Sequence, residues 1–214
     1  MTNKVLYTAI IFFILCINAF NVYGQFRFGG SLGLTLSQVD GDNLRGFHNT
    51  GISVGLLGGY KLNSGNSLVV DVGFNTFGSN KGSENIPSDN HRILLETKFQ
   101  TINILAGYQF LFGDRWDGKK YYLMRGGINF HKFIEKSNNI ITNSFGITEI
   151  AVPEEDINSQ YFAINLSVGK ILSDKFVVRF GVDYGLSNLL KSSQYNISSI
   201  SPYQIYFNTS YYVF

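Results

Sequence analysis

Hydrophobic and polar side chains alternate along most of the chain. In the clearest run, residues 176–187, Val178 and Val182 have one parity while Arg179 and Asp183 have the other. A period of two is typical of β-strands. We predict eight strands of about ten residues each, in residues 26–37, 51–62, 68–75, 101–110, 121–130, 161–169, 176–187 and 203–214. The pattern does not assign the faces of the last strand, because both of its parities are apolar or aromatic.

The connections between the predicted strands alternate in length. Those after strands two, four and six are short or turn-like, at residues 63–66, 112–119 and 173–174. Those after strands one, three, five and seven are longer and polar, at residues 38–49, 78–97, 132–158 and 189–202. An up-and-down meander places all short turns at one end, the turn end, and all long loops at the other, the loop end. The sequence therefore predicts an all-β fold, an eight-stranded antiparallel up-and-down transmembrane β-barrel.

The first 24 residues have the pattern of a secretory signal peptide. Lys4 precedes an apolar run from Val5 to Ile17, and a cleavage site follows at Gly24. The run is shorter than the roughly 20 residues that a membrane-spanning helix needs. We expect residues 1–24 to be cleaved and residues 25–214 to form the outer-membrane β-barrel domain.

The composition supports a membrane protein. Charged residues make up 15% of the chain and hydrophobic residues 44%, whereas soluble domains average about 25% charged residues. The net charge is +2 and no basic cluster accompanies it, so nothing indicates nucleic-acid binding. Cys16 is the sole cysteine and lies in the predicted signal peptide. The mature chain would therefore contain neither a disulfide nor a thiolate metal site.

The two parities differ in a way that indicates which one faces lipid. Glycines and small polar residues fill one parity, as the narrow lumen of an eight-stranded barrel requires. On the other parity, aliphatic residues occupy the middle of the strands and aromatic residues the ends, as in barrels that span a bilayer. The aromatic residues predicted to lie at the lipid interface of the turn end are Phe28, Tyr60, Tyr108, Phe110, Tyr122, Phe176, Tyr212 and Phe214. Those near the loop end are Phe74, Phe130, Phe162 and Tyr184.

Four charged residues share the glycine-rich parity: Asp71, Arg125, Arg179 and Asp183. An arginine that faces lipid at mid-depth costs about 2–4 kcal/mol, so we expect these side chains to form a structural network in the lumen. Arg179 and Asp183 are separated by about 13 Å along one strand and need partners on other strands. We expect Asp71 to pair with Arg125 or Arg179.

No motif indicates catalysis, a cofactor or a metal. His48, His91 and His131 lie in or beside different predicted loops, and their spacing marks no catalytic set. Residues 40–43 resemble the start of a calcium loop, but the glycine and the glutamate that would complete it are missing. The acidic segment Glu149–Asp156 is interpreted as a solvated loop.

Several segments resemble the PorT-like family of small outer-membrane β-barrel proteins from Gram-negative bacteria. They are residues 30–37, 40–48, 99–110, 179–189 and 212–214. The resemblance covers the mature chain and implies an eight-stranded barrel in the cell outer membrane. It implies little about activity, although the family's name-giving member serves a protein-export system. The C-terminal Phe214 resembles the signal by which such barrels are handed to the barrel-assembly machinery.

These observations favour a non-enzymatic integral outer-membrane β-barrel protein, in contact with outer-membrane lipid. Its role would be structural or would depend on interactions through long extracellular loops, and the resemblance adds a possible accessory role in protein export or surface assembly. Two alternatives remain open at this point. One is a soluble periplasmic lipocalin-like barrel that binds lipid, and the other is an outer-membrane lipid acyl-transfer enzyme. An open diffusion channel is disfavoured, because eight strands leave no aqueous path.

Overall fold

The computed structural model describes residues 25–40, 49–79, 93–114, 120–143, 147–151, 154–189, 191 and 201–213. The predicted signal peptide and Phe214 lie outside these residues. In the part of the chain that the structure describes, no helix is both long enough and apolar enough to cross a membrane. The strands are β1 (Phe26–Asp40), β2 (Asn49–Lys61), β3 (Asn66–Ser79), β4 (Ile93–Asp114), β5 (Lys120–Asn143), β6 (Ile147–Ala151), β7 (Gln160–Ile171), β8 (Phe176–Gly185) and β9 (Ser201–Tyr212). One turn of 3-10 helix, Glu154–Asp156, precedes β7.

All strands except β6 form a closed barrel. Each barrel strand pairs antiparallel with the next. β5 pairs directly with β7, because β6 lies between them only in the sequence, and β9 pairs with β1 to close the barrel. The seam between the first and last strands runs from Gly29 opposite Tyr212 to Asp40 opposite Ser201. The prediction of a closed eight-stranded antiparallel barrel is confirmed.

Two strands are longer than the sequence predicted. β4 has 22 residues and β5 has 24, and their ladder continues to Ile93 opposite Thr142. The prediction of one long loop at residues 132–158 is therefore wrong for residues 132–143, which belong to β5. Residues 147–151 of the same predicted loop form β6, which pairs with the end of β5. The alternation stops at Ser137-Asn138-Asn139, so the hydrophobic pattern gives no strand signal there. A register shift beside Thr101, which lies opposite Phe133, also interrupts the period of two.

The apolar parity covers the outside of the barrel. Leu34 is 61% exposed, whereas Arg125 on the opposite parity is 1% exposed. The structure also assigns the faces of the last strand. Phe207 and Tyr211 point outward, and Tyr212 is buried at 7% exposure. The expectation that Tyr212 lies at the lipid interface is therefore wrong, because the odd-numbered residues of β9 occupy the outer face.

Two apolar layers lie inside the barrel, one near each end. We call the layer at the turn end the turn-side plug; it consists of Leu57, Leu123, Val177 and Tyr212, with Leu111 and Ile171 packed against it. The loop-side plug consists of Val39, Phe77, Phe99, Phe133, Ile157, Tyr161, Ala163 and Leu189. The turn-side plug is built from strand residues, whereas Ile157 and Leu189 reach the loop-side plug from connections outside the strands. The interior between the plugs is polar, and we call it the polar chamber.

Candidate functional site

The polar chamber contains a partly buried carboxylate between two guanidinium groups. Arg125 Nη2 on β5 lies 2.7 Å from Asp71 Oδ2 on β3, and Arg179 Nη1 on β8 lies 3.7 Å from the same oxygen. Arg179 also donates a hydrogen bond of 2.9 Å to Ser210 Oγ on β9. The lumen thus brings together three of the four predicted lumen charges. Since one carboxylate faces two guanidiniums, this part of the chamber carries excess positive charge.

The fourth charge, Asp183, belongs to a separate cluster nearer the loop end. Asp183 Oδ2 accepts a hydrogen bond of 2.8 Å from Asn129 Nδ2 and lies 2.9 Å from His131 Nε2. His131 Nδ1 lies 3.4 Å from Thr101 Oγ1. The imidazole stacks on the Tyr161 ring at a centroid distance of 4.4 Å and an interplanar angle of 5°. This geometry fixes the orientation of the histidine through one ring face and both nitrogens.

The sequence predicts His131 in or beside a loop, whereas the structure places it in the lumen. It lies on β5 and is fully buried. The position of His131 could have been predicted from its parity, because it is separated from the lumen residues Arg125 and Asn129 by an even number of residues on the same strand. His48 and His91 lie outside the described residues, as do residues 41–43 of the expected calcium-like turn.

Amide and hydroxyl side chains link strands across the chamber. Asn75 Nδ2 on β3 donates to Gln204 Oε1 on β9 at 2.6 Å, and Gln204 Nε2 donates to the Tyr161 hydroxyl at 3.1 Å. The Tyr206 hydroxyl donates to Asn165 Oδ1 at 3.0 Å. Such contacts hold opposite walls of the barrel together and compensate for the loss of water around buried polar groups.

A cavity of about 60 Å³ remains inside the chamber. It has room for a few water molecules, since one water needs roughly 10–15 Å³ by this measure. Polar residues from all eight barrel strands line it, among them Asp71, Asn75, Arg179 and Asp183. An apolar plug lies on either side of the cavity, so the described part of the lumen is not a wide channel.

The arrangement Asp183–His131–Thr101 has the order of an acid, a base and a hydroxyl nucleophile. A catalytic group must be reachable by its substrate. Here Tyr161 covers one side of the imidazole, and Phe77 packs edge-on with its centroid 6.4 Å away. We therefore interpret this cluster as structural. Among the described side chains, no group of three or more His, Cys, Asp or Glu residues is placed to hold a metal ion.

Aromatic side chains lie on the outer face at both ends of the barrel. At the turn end, the predicted residues Phe28, Tyr108, Phe110 and Tyr122 are exposed, and Tyr60 and Phe176 are partly exposed. The rings of Phe112 and Tyr122 pack at 5.7 Å between centroids. At the loop end, Phe130 packs against Phe162 at 5.2 Å, and Tyr184 against Tyr203 at 5.9 Å.

Comparison with known proteins adds structural similarities at low sequence identity. No protein-family model and no curated protein matches the chain. One similar structure is Ail, the attachment invasion locus protein of Yersinia pestis, with 14% identity, a TM-score of 0.49, and coverage of 88% of this chain and 99% of that one. Neisserial surface protein A is 11% identical, with a TM-score of 0.44 and coverage of 87% of this chain and 96% of that one. The outer membrane protein OprG from Pseudomonas aeruginosa is 10% identical, with a TM-score of 0.36 and coverage of 87% of this chain and 93% of that one. The fold of the present chain is therefore assigned from its own strand pairing.

Proposed function

We propose that this chain is an integral outer-membrane β-barrel protein that makes contacts through the strands and loops at its loop end. The observation that carries the proposal is the inversion of the barrel relative to a soluble protein. Leu32, Leu34 and Leu166 are more than half exposed on the outer face, while Arg125 and Arg179 are buried inside. An exposed apolar band of this extent needs a lipid environment.

The same observation argues against a soluble lipid-binding barrel. Such a protein needs an apolar cavity for its ligand and a polar surface toward water. Here the central cavity is lined by carboxylate, guanidinium and amide groups. The acyl-transfer alternative has no support from the described residues, because His131 is buried under Tyr161.

The loop end offers a structure for contacts beyond the membrane. β5 continues past Phe130 as far as Asn143, which corresponds to roughly 40 Å of extended strand. Its partners there are β4 on one side and β6 on the other. We call this three-stranded extension, residues 93–100, 135–143 and 147–151, the projection. A partner in protein export or surface assembly, as the PorT-like resemblance implies, would bind at the projection, and assembly into the membrane would use the C-terminal strand.

Membrane integration is tested by fractionating cells that produce the full chain. We expect the protein to stay with the outer membrane after washing with alkaline carbonate and to leave it only in detergent. Release by carbonate would contradict the proposal. A known soluble periplasmic protein and a known outer-membrane barrel from the same cells serve as controls.

The role of the projection is tested by placing a photo-cross-linking amino acid at Ile140 or Ile150. A matched control carries it at Ser173, in the turn between β7 and β8 at the opposite end. We expect discrete adducts with another protein from the projection positions and none from Ser173. Equal labelling from both ends, or none, would argue against a role for the projection.

A further inference from the structure

We propose that the polar chamber binds a monovalent cation at its loop-side end, between Asp183 and Asn75. The proposal concerns the interior of the barrel and does not depend on the partner at the projection. Asp183 and Asn75 are only 4% and 6% exposed, and both line the cavity.

Each of these residues has one oxygen with no hydrogen-bond partner. The unpartnered atoms are Asp183 Oδ1 and Asn75 Oδ1, and both are buried. The other polar atoms of the same side chains are occupied, since Asp183 Oδ2 meets Asn129 and His131 while Asn75 Nδ2 donates to Gln204. A buried oxygen acceptor without a donor or a cation is unfavourable.

The two oxygens belong to the same layer of the barrel. Gln204 lies directly opposite Asp183 in the ladder between β8 and β9. Gln204 Oε1 accepts the 2.6 Å hydrogen bond from Asn75 Nδ2. Because neighbours across a ladder are about 5 Å apart, one small ligand at this level can contact oxygens from both walls.

The charges of the chamber are unevenly distributed. Asp71 faces both Arg125 and Arg179, whereas Asp183 faces an amide and an imidazole. His131 Nε2 lies 2.9 Å from Asp183 Oδ2, and His131 Nδ1 lies 3.4 Å from Thr101 Oγ1. Arg179 lines the same cavity, but its guanidinium contacts Asp71 and Ser210. Asp183 Oδ1 is then a buried carboxylate oxygen without a donor among the described residues, and a bound cation would compensate for it.

The chemistry of the site selects the type of cation. A carboxylate and an amide carbonyl are oxygen ligands, which suit hard cations. A single carboxylate balances one positive charge. The cavity of about 60 Å³ admits an alkali-metal or ammonium ion with a few waters, and it excludes an organic cation as large as choline.

The test compares the unfolding temperature of the purified full-length mature barrel in detergent with sodium, potassium, ammonium or choline chloride at equal ionic strength. With the cation at ten times its dissociation constant, we expect unfolding about 3–6 °C higher than in choline chloride. Comparison of sodium and potassium chloride with ammonium chloride shows whether the bound cation is an alkali-metal ion or ammonium. Equal unfolding temperatures in all four salts would show that only water occupies the chamber, and would overturn the proposal.

Substitution of Asp183 locates the effect. Asp183→Asn removes the charge with little change in volume, and we expect it to abolish the difference between the salts. Glu155→Gln, on an exposed side chain of the loop end, is the control and keeps the difference. Persistence of the ion effect in Asp183→Asn would overturn the proposal.

A second measurement covers the case in which Asp183→Asn does not fold. We expect sodium that exchanges with the site in the wild-type barrel to broaden the ²³Na NMR line. We expect potassium or ammonium to reverse the broadening and choline at the same concentration to leave it unchanged. Absence of broadening, or equal reversal by choline, would contradict a site inside the chamber.

Discussion

Asp71 on β3 and Arg125 on β5 meet inside the barrel although β4 lies between their strands. Their closest atoms, Oδ2 and Nη2, are 2.7 Å apart. Arg179 reaches the same carboxylate from β8, on the opposite wall of the barrel. A single carboxylate thus connects three strands that are not neighbours in the sheet, and it compensates for two buried positive charges.

Replacement of Asp71 should strongly destabilise the barrel. Asp71→Ala leaves Arg125 and Arg179 buried without a carboxylate, and loss of one partner from a buried ion pair costs about 3–5 kcal/mol. We expect a clear decrease in the urea midpoint of unfolding. The exposed Glu155→Ala should leave the midpoint nearly unchanged. If both variants unfold at the wild-type midpoint, Asp71 does not neutralise the lumen.

A charge on the outer face tests the lipid contact. Leu34 lies in the aliphatic band, opposite Ile52 and Phe207, so Leu34→Arg should reduce the folding free energy in bilayers by about 2–4 kcal/mol. The matched variant Ser64→Arg, at an exposed position in the turn between β2 and β3, should cost little. A cost near zero at Leu34 is the result expected of a surface in water, and it would exclude a bilayer around this band.

Adjacent tyrosines of β9 should respond differently to truncation. Tyr212 packs in the turn-side plug with Leu57, Leu123 and Val177, so Tyr212→Ala should cost about 3–5 kcal/mol, as for other buried aromatic side chains. Tyr211 is 51% exposed on the outer face, and Tyr211→Ala should cost less than half as much. Equilibrium urea unfolding measures both. The reverse order would show that the faces of β9 are exchanged.

The close approach of β4 and β5 requires glycine at one pair of opposite positions. A Cβ on Gly127 would lie 2.5 Å from Ala106 O and 2.7 Å from Gly107 Cα. Because backbone atoms cannot rotate away, Gly127→Ala should destabilise the barrel by about 1–3 kcal/mol. The control is Gly58→Ala on β2, where the nearest atom, Val70 O, is 3.5 Å from the added carbon. Equal urea midpoints for the two variants would argue against steric crowding at Gly127.

The number of barrel strands and the direction of most of their side chains follow from the sequence, because one face of each barrel strand must be apolar. The hydrophobic pattern could not orient β9, since Tyr211 and Tyr212 are chemically alike and only the register with β1 separates them. It also missed the ends of β4 and β5. Their pairing there depends on cross-strand partners and not on alternation.

The composition of the lumen was predictable, and so was the pairing of Asp71 with an arginine, which the structure shows. The contacts of Asp183 were not predictable. Parity alone places Asp71, Arg125, Arg179 and Asp183 inside. Which charges meet depends on the stagger between strands, which brings Arg179 to Asp71 across the barrel. The same stagger places His131 beside Asp183, a contact that no spacing along the chain reveals.

The seam between β1 and β9 joins residues that are almost the whole chain apart, as in the hydrogen bond from Thr209 Oγ1 to Leu32 O. Until the last strand docks, no inner compartment exists to shelter Asp71 or Arg125. Contacts at such separation make acquisition of the native state slow, and incomplete chains expose aggregation-prone edges. The barrel can therefore close only after the last strand has been synthesised and has paired with β1.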